Sequence, residues 1–392
     1  MRSLRLVIAI FIAYSCFAAH PDWQALRNQI DNTLHVPQQL PNVEAKFYGK
    51  FSPASGVDAD RVSYATEYEL RIPAIVYHPA GATLTKHPAL IVVNGHGEDK
   101  SSWDSYWAGI LYARAGAVVL TYDPIGEYER NKERRSHTLQ HDQTVEPQEK
   151  MAKRMTGLMI TDIMQAVSYL SQRPDVDARR IAVMGFSMGS FIGSLECALD
   201  TRVHACVLAG GGNLDGPGGH WDTTHKMCES IAYQSLKFLG DRGAVLYALN
   251  AKRGPTLVLN GTADQVEDIP HRGPDFFSDL RKRTAAELGS SKDVFDSDFF
   301  PGGGHAPYFL TRRAALWLND KLKFPDWTKK QIEQMPETQK PGPLMALGDN
   351  IPAVPRADLH ALPEAVWDSQ QRNYIDETWV DRASAAAATD AP

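Results

Sequence analysis

Cysteine is scarce in this sequence, with only four among 392 residues. If the first residues are removed on export, as argued below, three remain (Cys197, Cys206 and Cys228), and they allow at most one internal disulfide. No cysteine has the spacing to another cysteine or a histidine that zinc sites show, so no metal site is predicted. Cys197 lies in a predicted helix and Cys206 in a predicted strand, where both are expected to be small buried side chains.

The chain also lacks an excess of basic charge. Its formal net charge is −6 at pH 7, and the basic cluster at 132–135 includes a glutamate. Binding to nucleic acid or to an anionic membrane surface requires a basic face, so neither is predicted. With 43% hydrophobic residues, the chain is long enough for one large α/β core and an additional segment.

Apolar runs of membrane-spanning length are missing as well. Arg2 and Arg5 precede a short apolar run at 6–17, which is typical of a signal peptide over 1–18 with cleavage after Ala18. We therefore expect an exported protein, periplasmic or secreted, without a membrane span in its mature chain. Lipidation at Cys16 is the alternative, which the large Tyr14 disfavours.

Segments with strand and helix periodicity alternate along most of the chain. Those at 47–51, 62–70 and 71–77 predict antiparallel strands, and Pro73 favours an edge position for the last. A βα rhythm follows, with runs such as 89–93 that are apolar throughout, as in parallel strands buried on both faces. The predicted fold class is α/β, a three-layer sandwich with a mostly parallel central sheet. Further strands are expected at 116–122, 181–184, 203–208, 255–259 and 294–300, and helices at 103–115, 159–170, 190–199 and 314–322.

Residues 125–157, a long charged connection, and residues 212–254 interrupt this rhythm. One α/β domain is predicted over 19–323, after the signal peptide at 1–18. Within it, residues 212–254 form a long insertion between two core strands, either a lid-like wall of a pocket or a tolerated surface loop. Residues 324–392 are interrupted by prolines and predict an extension that wraps the domain.

A candidate nucleophile stands between an apolar strand and a helix. Ser187 is the centre of Gly185-Phe186-Ser187-Met188-Gly189, which has the G-x-S-x-G pattern of a nucleophile elbow. The flanking glycines remove side chains that would crowd the neighbouring strand or helix. The alternative is a tight turn at the end of a buried strand, without chemistry.

A base and an orienting acid follow in the order that this fold requires, serine before acid before histidine. Asp264 comes after the strand at 255–259, and His305 comes after the strand at 294–300, on a glycine-rich loop. Each residue alone indicates only a turn or a polar surface position. Together with Ser187 they predict a catalytic triad, because the carboxyl ends of parallel strands meet at one edge of the sheet.

An oxyanion needs backbone donors beside the nucleophile. We expect one from the amide of Met188 and the other from Glu98, in the loop after the strand at 89–93, with Gly97 as the second choice. His96 would brace that loop. Trp221 and His220, in the insertion, are candidate substrate contacts, as is His225.

Residues 45–320 resemble the α/β-hydrolase superfamily, and four motifs resemble exported acetyl xylan esterase-like and dienelactone hydrolase-like enzymes. The resemblance implies hydrolysis of a small-molecule or carbohydrate ester through an acyl-serine, with no cofactor. It places the nucleophile at Ser187, the acid at Asp264 and the base at His305. Dienelactone hydrolases themselves use cysteine, so the serine departs from that branch. The motifs are Asn94-Gly95-His96-Gly97, Tyr122-Asp123-Pro124-Ile125-Gly126, the elbow, and Gly303-Gly304-His305.

Two other functions fit the same residues. A serine peptidase of the prolyl-oligopeptidase type shares the catalytic order, although such enzymes usually carry a β-propeller, and fewer than a hundred residues precede the predicted sheet. A binding protein on an inactive hydrolase scaffold is the other alternative. Such scaffolds typically lack a member of the triad, whereas all three are present here.

Overall fold

The computed structural model describes residues 22–81, 85–131, 149–223, 229–292, 294–335, 337–338 and 351–352. Nine strands form one sheet within these ranges. They are β1 (Lys46–Ala54), β2 (Val57–Ala65), β3 (Arg71–Pro79), β4 (His87–Val93), β5 (Val118–Tyr122), β6 (Val176–Phe186), β7 (Ala205–Ala209), β8 (Thr256–Gly261) and β9 (Asp296–Phe300). A separate antiparallel pair joins β10 (Glu337–Thr338) to β11 (Ile351–Pro352).

The sheet has the order β1-β2-β3-β5-β4-β6-β7-β8-β9. Pairing is antiparallel from β1 to β5 and parallel from β5 to β9. The predicted fold class is therefore confirmed. Because β5 and β6 lie on opposite sides of β4, the winding direction reverses there, and such a switch point opens a crevice at the carboxyl ends of the strands.

Helices cover both faces of the sheet, each with its own apolar cluster. Strands such as β4 are buried along their whole length, which explains their uninterrupted apolar sequence. One face holds α2 (Trp103–Arg114), α9 (Arg312–Leu322) and α10 (Lys329–Glu333). The other holds α1 (Trp23–Leu34), α3 (Glu149–Gln172), α4 (Met188–Leu199), α5 (His220–Thr223), α6 (Ser230–Ser235), α7 (Arg242–Arg253) and α8 (Ile269–Leu288).

The position of Pro73 differs from the prediction. Its strand, β3, is not at an edge but lies between β2 and β5. The Pro73 carbonyl accepts the N–H of Asp123 at 3.1 Å, so the nitrogen of Pro73 also faces the chain that continues β5. The strand β5 itself has already ended at Tyr122. The missing N–H therefore removes at most the last bond of that ladder, and an internal strand tolerates the proline.

The predicted lid-like insertion is shorter than expected. Its last part is α7, a helix that is buried from Arg242 to Asn250 and packs in the same apolar cluster as α4 and α8. This helix is the crossover between β7 and β8, which the parallel sheet requires. Only residues 212–241 are therefore additional to the α/β layering.

The first part of the predicted extension packs against the domain. The rings of Phe324 and Trp327 lie 5.7 and 6.1 Å from that of Tyr112 on α2, and the Asp326 amide donates to the Ala115 carbonyl at 3.2 Å. Cys197 and Cys206 are buried, as predicted, and neither forms a disulfide. The predictions for residues 1–18, Cys16, His225, Cys228 and most of 339–392 fall outside the described residues.

In the described part of the chain, no helix combines the length and the apolarity needed to cross a bilayer.

Candidate active site

Ser187 occupies a sharp turn between β6 and α4. Its φ of 53° and ψ of −118° lie in a region that costs a residue with a side chain roughly 1–3 kcal/mol. A Cβ on Gly185 would come within 2.2 Å of the Gly189 carbonyl oxygen, and one on Gly189 within 2.1 Å of the Val93 carbonyl oxygen. The two glycines therefore let strand and helix approach closely enough to fold the serine out of the sheet, as the elbow pattern predicts.

Asp264 and His305 form a hydrogen-bonded pair. Nδ1 of His305 lies 2.9 Å from Oδ2 of Asp264, whose side chain is fully buried. The other oxygen of Asp264 accepts the amides of Val266 and Glu267 at 3.0 and 3.1 Å, which fixes the orientation of the carboxylate. Because a carboxylate only accepts, the Nδ1 of His305 is the donor, and Nε2 of the neutral ring carries the lone pair.

The loops that carry the acid and the base are joined to each other. The Ala263 amide donates to the Gly303 carbonyl at 2.8 Å, and the Gly302 amide donates to the Thr262 hydroxyl, also at 2.8 Å. The Tyr308 hydroxyl donates to the Gly304 carbonyl at 2.6 Å. These bonds hold two loops from neighbouring strands as one unit, so the aspartate and histidine keep a fixed separation.

The histidine packs against the elbow. The ring of Phe186, the residue before Ser187, lies 4.8 Å from the ring of His305. Both side chains pack closely against Gly210, which directly follows β7. A Cβ on Gly210 would lie 2.9 Å from Phe186 and 3.3 Å from His305. The structure therefore places the three predicted triad residues after the carboxyl ends of β6, β8 and β9, at one edge of the sheet.

A cavity of about 460 Å³ opens beside Ser187. Met188, His96, His220 and Trp221 also line it, as do residues 265–268, which follow Asp264. Trp221 is only 2% exposed, and its ring stacks on Phe191 at 4.6 Å. The tryptophan thus forms part of a rigid aromatic wall, whereas His220 is partly exposed at the cavity.

The two amides predicted to bind an oxyanion differ in their geometry. Met188 is the first residue of α4, where amides have no acceptor within the helix, and it lines the cavity beside Ser187. The Glu98 amide instead donates to the Gly95 carbonyl at 3.2 Å, which closes a tight turn. Because that turn directs the amide back into its own loop, Glu98 does not fit the predicted role. His96 is the residue of this loop that lines the cavity.

The Glu98 side chain folds back on the same loop. Its Oε2 accepts the Gly95 amide at 2.9 Å. Burial, with a smaller contribution from Asp104, raises the pKa of Glu98 well above its ordinary value. The glutamate therefore stabilises the loop after β4 through this hydrogen bond to Gly95.

A buried ion-pair network connects that loop to the one after β5. Nζ of Lys100 lies 2.6 Å from carboxylate oxygens of both Asp123 and Glu129. Burial alone would lower the pKa of Lys100, but the two carboxylates outweigh it and raise that pKa. Asp123 thus has a structural role, in joining the two loops. Arg130 pairs with Asp162 in the interior, so neither reaches the cavity as a free charge.

Sequence reasoning missed two residues at the site. Asn260 is buried, and its side-chain amide both donates to and accepts from the Gly211 backbone at 2.9 Å, which positions one cavity wall. Glu267 lines the cavity, and burial, together with the negative charge of Asp264, raises its pKa to about 7. The signal available in the sequence was the position of Glu267, three residues after Asp264.

The order of the sheet, the strained serine and the acid–base pair at neighbouring strand ends define an α/β hydrolase. The chain belongs to the prolyl oligopeptidase family (Peptidase_S9), whose family model matches residues 103–331. That range includes the elbow, Asp264 and His305.

Three known proteins illustrate the similarity. YtaP of Bacillus subtilis (strain 168), named as a hydrolase, is 42% identical over 55 residues, which are 14% of this chain and 18% of that protein. The structure of methylesterase BT1017 matches with a TM-score of 0.55 and 22% identity over 79% of this chain and 65% of its own. Acetyl xylan esterase 1 from Thermoanaerobacterium sp. JW/SL YS485 matches with a TM-score of 0.50 and 18% identity over 78% of this chain and 94% of its own. The two structural matches establish a shared fold. The chain thus spans less than two thirds of YtaP and of the methylesterase.

Proposed function

We propose that the chain is a serine esterase that cleaves carboxylic esters through an acyl-serine intermediate. The observation that carries the proposal is Ser187, held with a φ of 53° at a 460 Å³ cavity, beside a histidine already hydrogen-bonded to a buried aspartate. The names of the methylesterase and of the acetyl xylan esterase that share the fold support an ester substrate.

Each step uses groups whose orientation is described above. Ser187 attacks the ester carbonyl while Nε2 of His305 takes the hydroxyl proton. Asp264, held by two amides, keeps the imidazole in the tautomer that accepts this proton and stabilises the resulting cation. His305 then protonates the leaving alcohol and activates a water molecule, which hydrolyses the acyl-serine.

The tetrahedral intermediate needs two donors near its oxyanion. We propose the amides of Met188 and, in place of Glu98, of His96. Both residues line the cavity with Ser187, whereas the Glu98 amide is directed at Gly95. An oxyanion-hole donor of this type typically contributes roughly 10²- to 10³-fold to kcat.

The first experiment is hydrolysis of p-nitrophenyl esters of increasing acyl length by the wild type and by Ser187→Ala. We expect the variant to lose activity by roughly 10⁴-fold or more, because the nucleophile is removed while the fold is kept. A preference for acetyl would indicate a small acyl pocket. Equal turnover by both proteins would contradict the assignment of Ser187.

A peptidase is the second candidate, and the match to the prolyl oligopeptidase family favours it. The same serine, histidine and aspartate would cleave an amide, with His305 protonating a leaving amine instead of an alcohol. Peptide p-nitroanilides with proline before the scissile bond separate the two candidates. Serine-dependent cleavage of these amides at a kcat/KM above that for acetyl esters would replace the esterase proposal.

A further inference from the structure

The cavity beside Ser187 lies to one side of the proposed reaction centre. Its lining includes Ser187 and the two residues whose amides we propose as oxyanion donors, Met188 and His96. His305 is not among the described residues that line it. An ester carbonyl held between the serine and these amides therefore has one substituent on the side of the cavity and the other on the side of His305.

The role of His305 decides which half of the ester lies on which side. Its Nδ1 is bonded to Asp264, so Nε2 is the nitrogen that protonates the leaving alcohol. That transfer requires Nε2 within hydrogen-bond reach of the oxygen that joins the alcohol to the carbonyl. The His305 side chain is 21% exposed, so an alcohol beside it reaches solvent. The cavity is then the space left for the acyl half.

The volume of the cavity exceeds what a small acyl group needs. A water molecule takes about 30 Å³ of the liquid, so the 460 Å³ of the cavity correspond to roughly 15 waters. An acetyl group has only three non-hydrogen atoms and would leave most of this space to water. A larger acyl group would displace that water and bury more apolar surface.

One wall of the cavity is a fixed aromatic surface. Phe191 and Trp221 both line the cavity, and their rings stack at 4.6 Å. The ring of Tyr233 lies 5.0 Å from that of Trp221, and its hydroxyl donates to the Asp215 carbonyl at 2.6 Å. The indole N–H of Trp221 donates to the Asn213 carbonyl at 3.4 Å. These contacts hold the wall in place, and a ring of the substrate can pack against it.

We infer that the site recognises the acid half of its ester, as an uncharged, ring-bearing acyl group in the cavity, and makes little selection on the alcohol. The inference rests on the esterase function proposed above and deepens it. It distinguishes the chain from an esterase specific for acetyl groups, in which the acyl group is the smaller half of the substrate.

Two isomeric esters test the inference directly. Methyl phenylacetate carries its ring on the acid, and benzyl acetate carries the same ring on the alcohol. For the wild type we expect kcat/KM to be at least about tenfold higher on methyl phenylacetate, because only its ring enters the cavity. The same order is expected when p-nitrophenyl phenylacetate is compared with p-nitrophenyl acetate, a pair with one leaving group.

Two variants connect this ratio to the cavity. Trp221→Ala removes part of the aromatic wall, and Leu214→Trp adds a ring to the lining and fills part of the space. We expect each to lower the ratio of methyl phenylacetate to benzyl acetate to about threefold or less. Trp23→Ala is the matched control, at a half-buried tryptophan of α1 outside the lining, and should keep the wild-type ratio.

The ratio is an internal comparison, so a general loss of activity in a variant does not affect it. A wild-type ratio near one or in favour of benzyl acetate would overturn the inference, as would a ratio unchanged in both cavity variants. If neither isomer reacts, a kcat/KM on p-nitrophenyl acetate equal to or above that on p-nitrophenyl phenylacetate would overturn it as well. Absence of turnover on every ester would instead refute the esterase function.

Discussion

At the scale of single residues, the buried Asp104 and the half-buried Glu98 are two acidic groups that interact electrostatically. Asp104, in the first turn of α2, is fully buried, and burial raises its pKa to about 6. Its charge contributes in turn to the raised pKa of Glu98. The folded protein therefore retains protons on this pair at pH values where an unfolded chain has released them, since an exposed aspartate ionises near pH 4.

This retention predicts how stability depends on pH. Between about pH 4 and pH 6 Asp104 holds a proton more often in the folded state than in the unfolded state, so its contribution to the free energy of unfolding falls as pH rises. Asp104→Asn removes one such group. We expect its stability relative to the wild type to increase over this range, by at most about 1.4 kcal/mol per pH unit.

Urea unfolding of both proteins at several pH values measures the difference. Asp279→Asn is the control for an exposed carboxylate. A constant offset between Asp104→Asn and the wild type, without any trend in pH, would show that Asp104 does not retain a proton in the folded state.

The sequence could predict Ser187, Asp264 and His305 as site candidates because each follows a predicted strand, and the carboxyl ends of parallel strands lie at one edge of the sheet. It could not predict which amide of the loop after β4 faces the cavity. That depends on a turn in which the Glu98 amide donates to the Gly95 carbonyl, while the Glu98 side chain accepts the Gly95 amide. Glu267 was missed because its setting arises from the packing of separate loops.

At the scale of elements, the contact of α4 with the sheet depends on one glycine. Gly189 faces the Val93 backbone, where a Cβ would come within 2.1 Å of a carbonyl oxygen, whereas the nearest atom to a Cβ on Gly193 would be a Val183 methyl carbon at 3.4 Å. Both glycines lie on the same helix. Alanine substitutions at the two positions therefore separate the effect of close packing from the effect of the low helix propensity of glycine.

We expect Gly189→Ala to destabilise the protein by more than about 3 kcal/mol, because the backbone of β4 cannot move aside without shifting the helix. Gly193→Ala should be neutral or stabilising by up to about 1 kcal/mol, since alanine favours the helix. Urea denaturation followed by tryptophan fluorescence measures both. Similar changes in the two variants would show that the elbow does not depend on this contact.

Most elements lie within a few residues of their predicted bounds, and the main exception has a physical cause. The predicted helix at 159–170 begins at Glu149 in the structure, as α3. Gly157 reads in sequence as a residue that weakens a helix. In the fold, a Cβ there would lie 1.9 Å from the Leu34 carbonyl oxygen of α1. Glycine is therefore needed where these two helices, which are distant in sequence, come into contact.

At the scale of the whole molecule, the segment after α9 belongs to the same folding unit as the sheet. Phe324 is 5% exposed, and Ile332, on α10, is fully buried in the cluster that includes α2 and α9. The predicted domain boundary at 323 therefore does not separate independently packed parts, at least as far as residue 335.

Ile332→Ala tests whether the segment after α9 unfolds together with the sheet. We expect it to lower the free energy of unfolding by about 2–4 kcal/mol while unfolding stays a single transition. Lys329→Ala on the same helix, at a side chain that is 78% exposed, should change stability by less than about 0.5 kcal/mol. A calorimetric scan of Ile332→Ala that shows an early, separate transition would mean that the segment unfolds on its own.

The placement of the site also bears on how such a protein can diversify. The residues proposed to break the ester sit at the ends of β6, β8 and β9, whereas much of the cavity lining comes from the chain between β7 and α7. The proposed chemistry and much of the cavity lining thus lie on different stretches of the chain. Exchanging residues 213–235 between relatives should transfer substrate preference as a module, with the chemistry of the recipient unchanged.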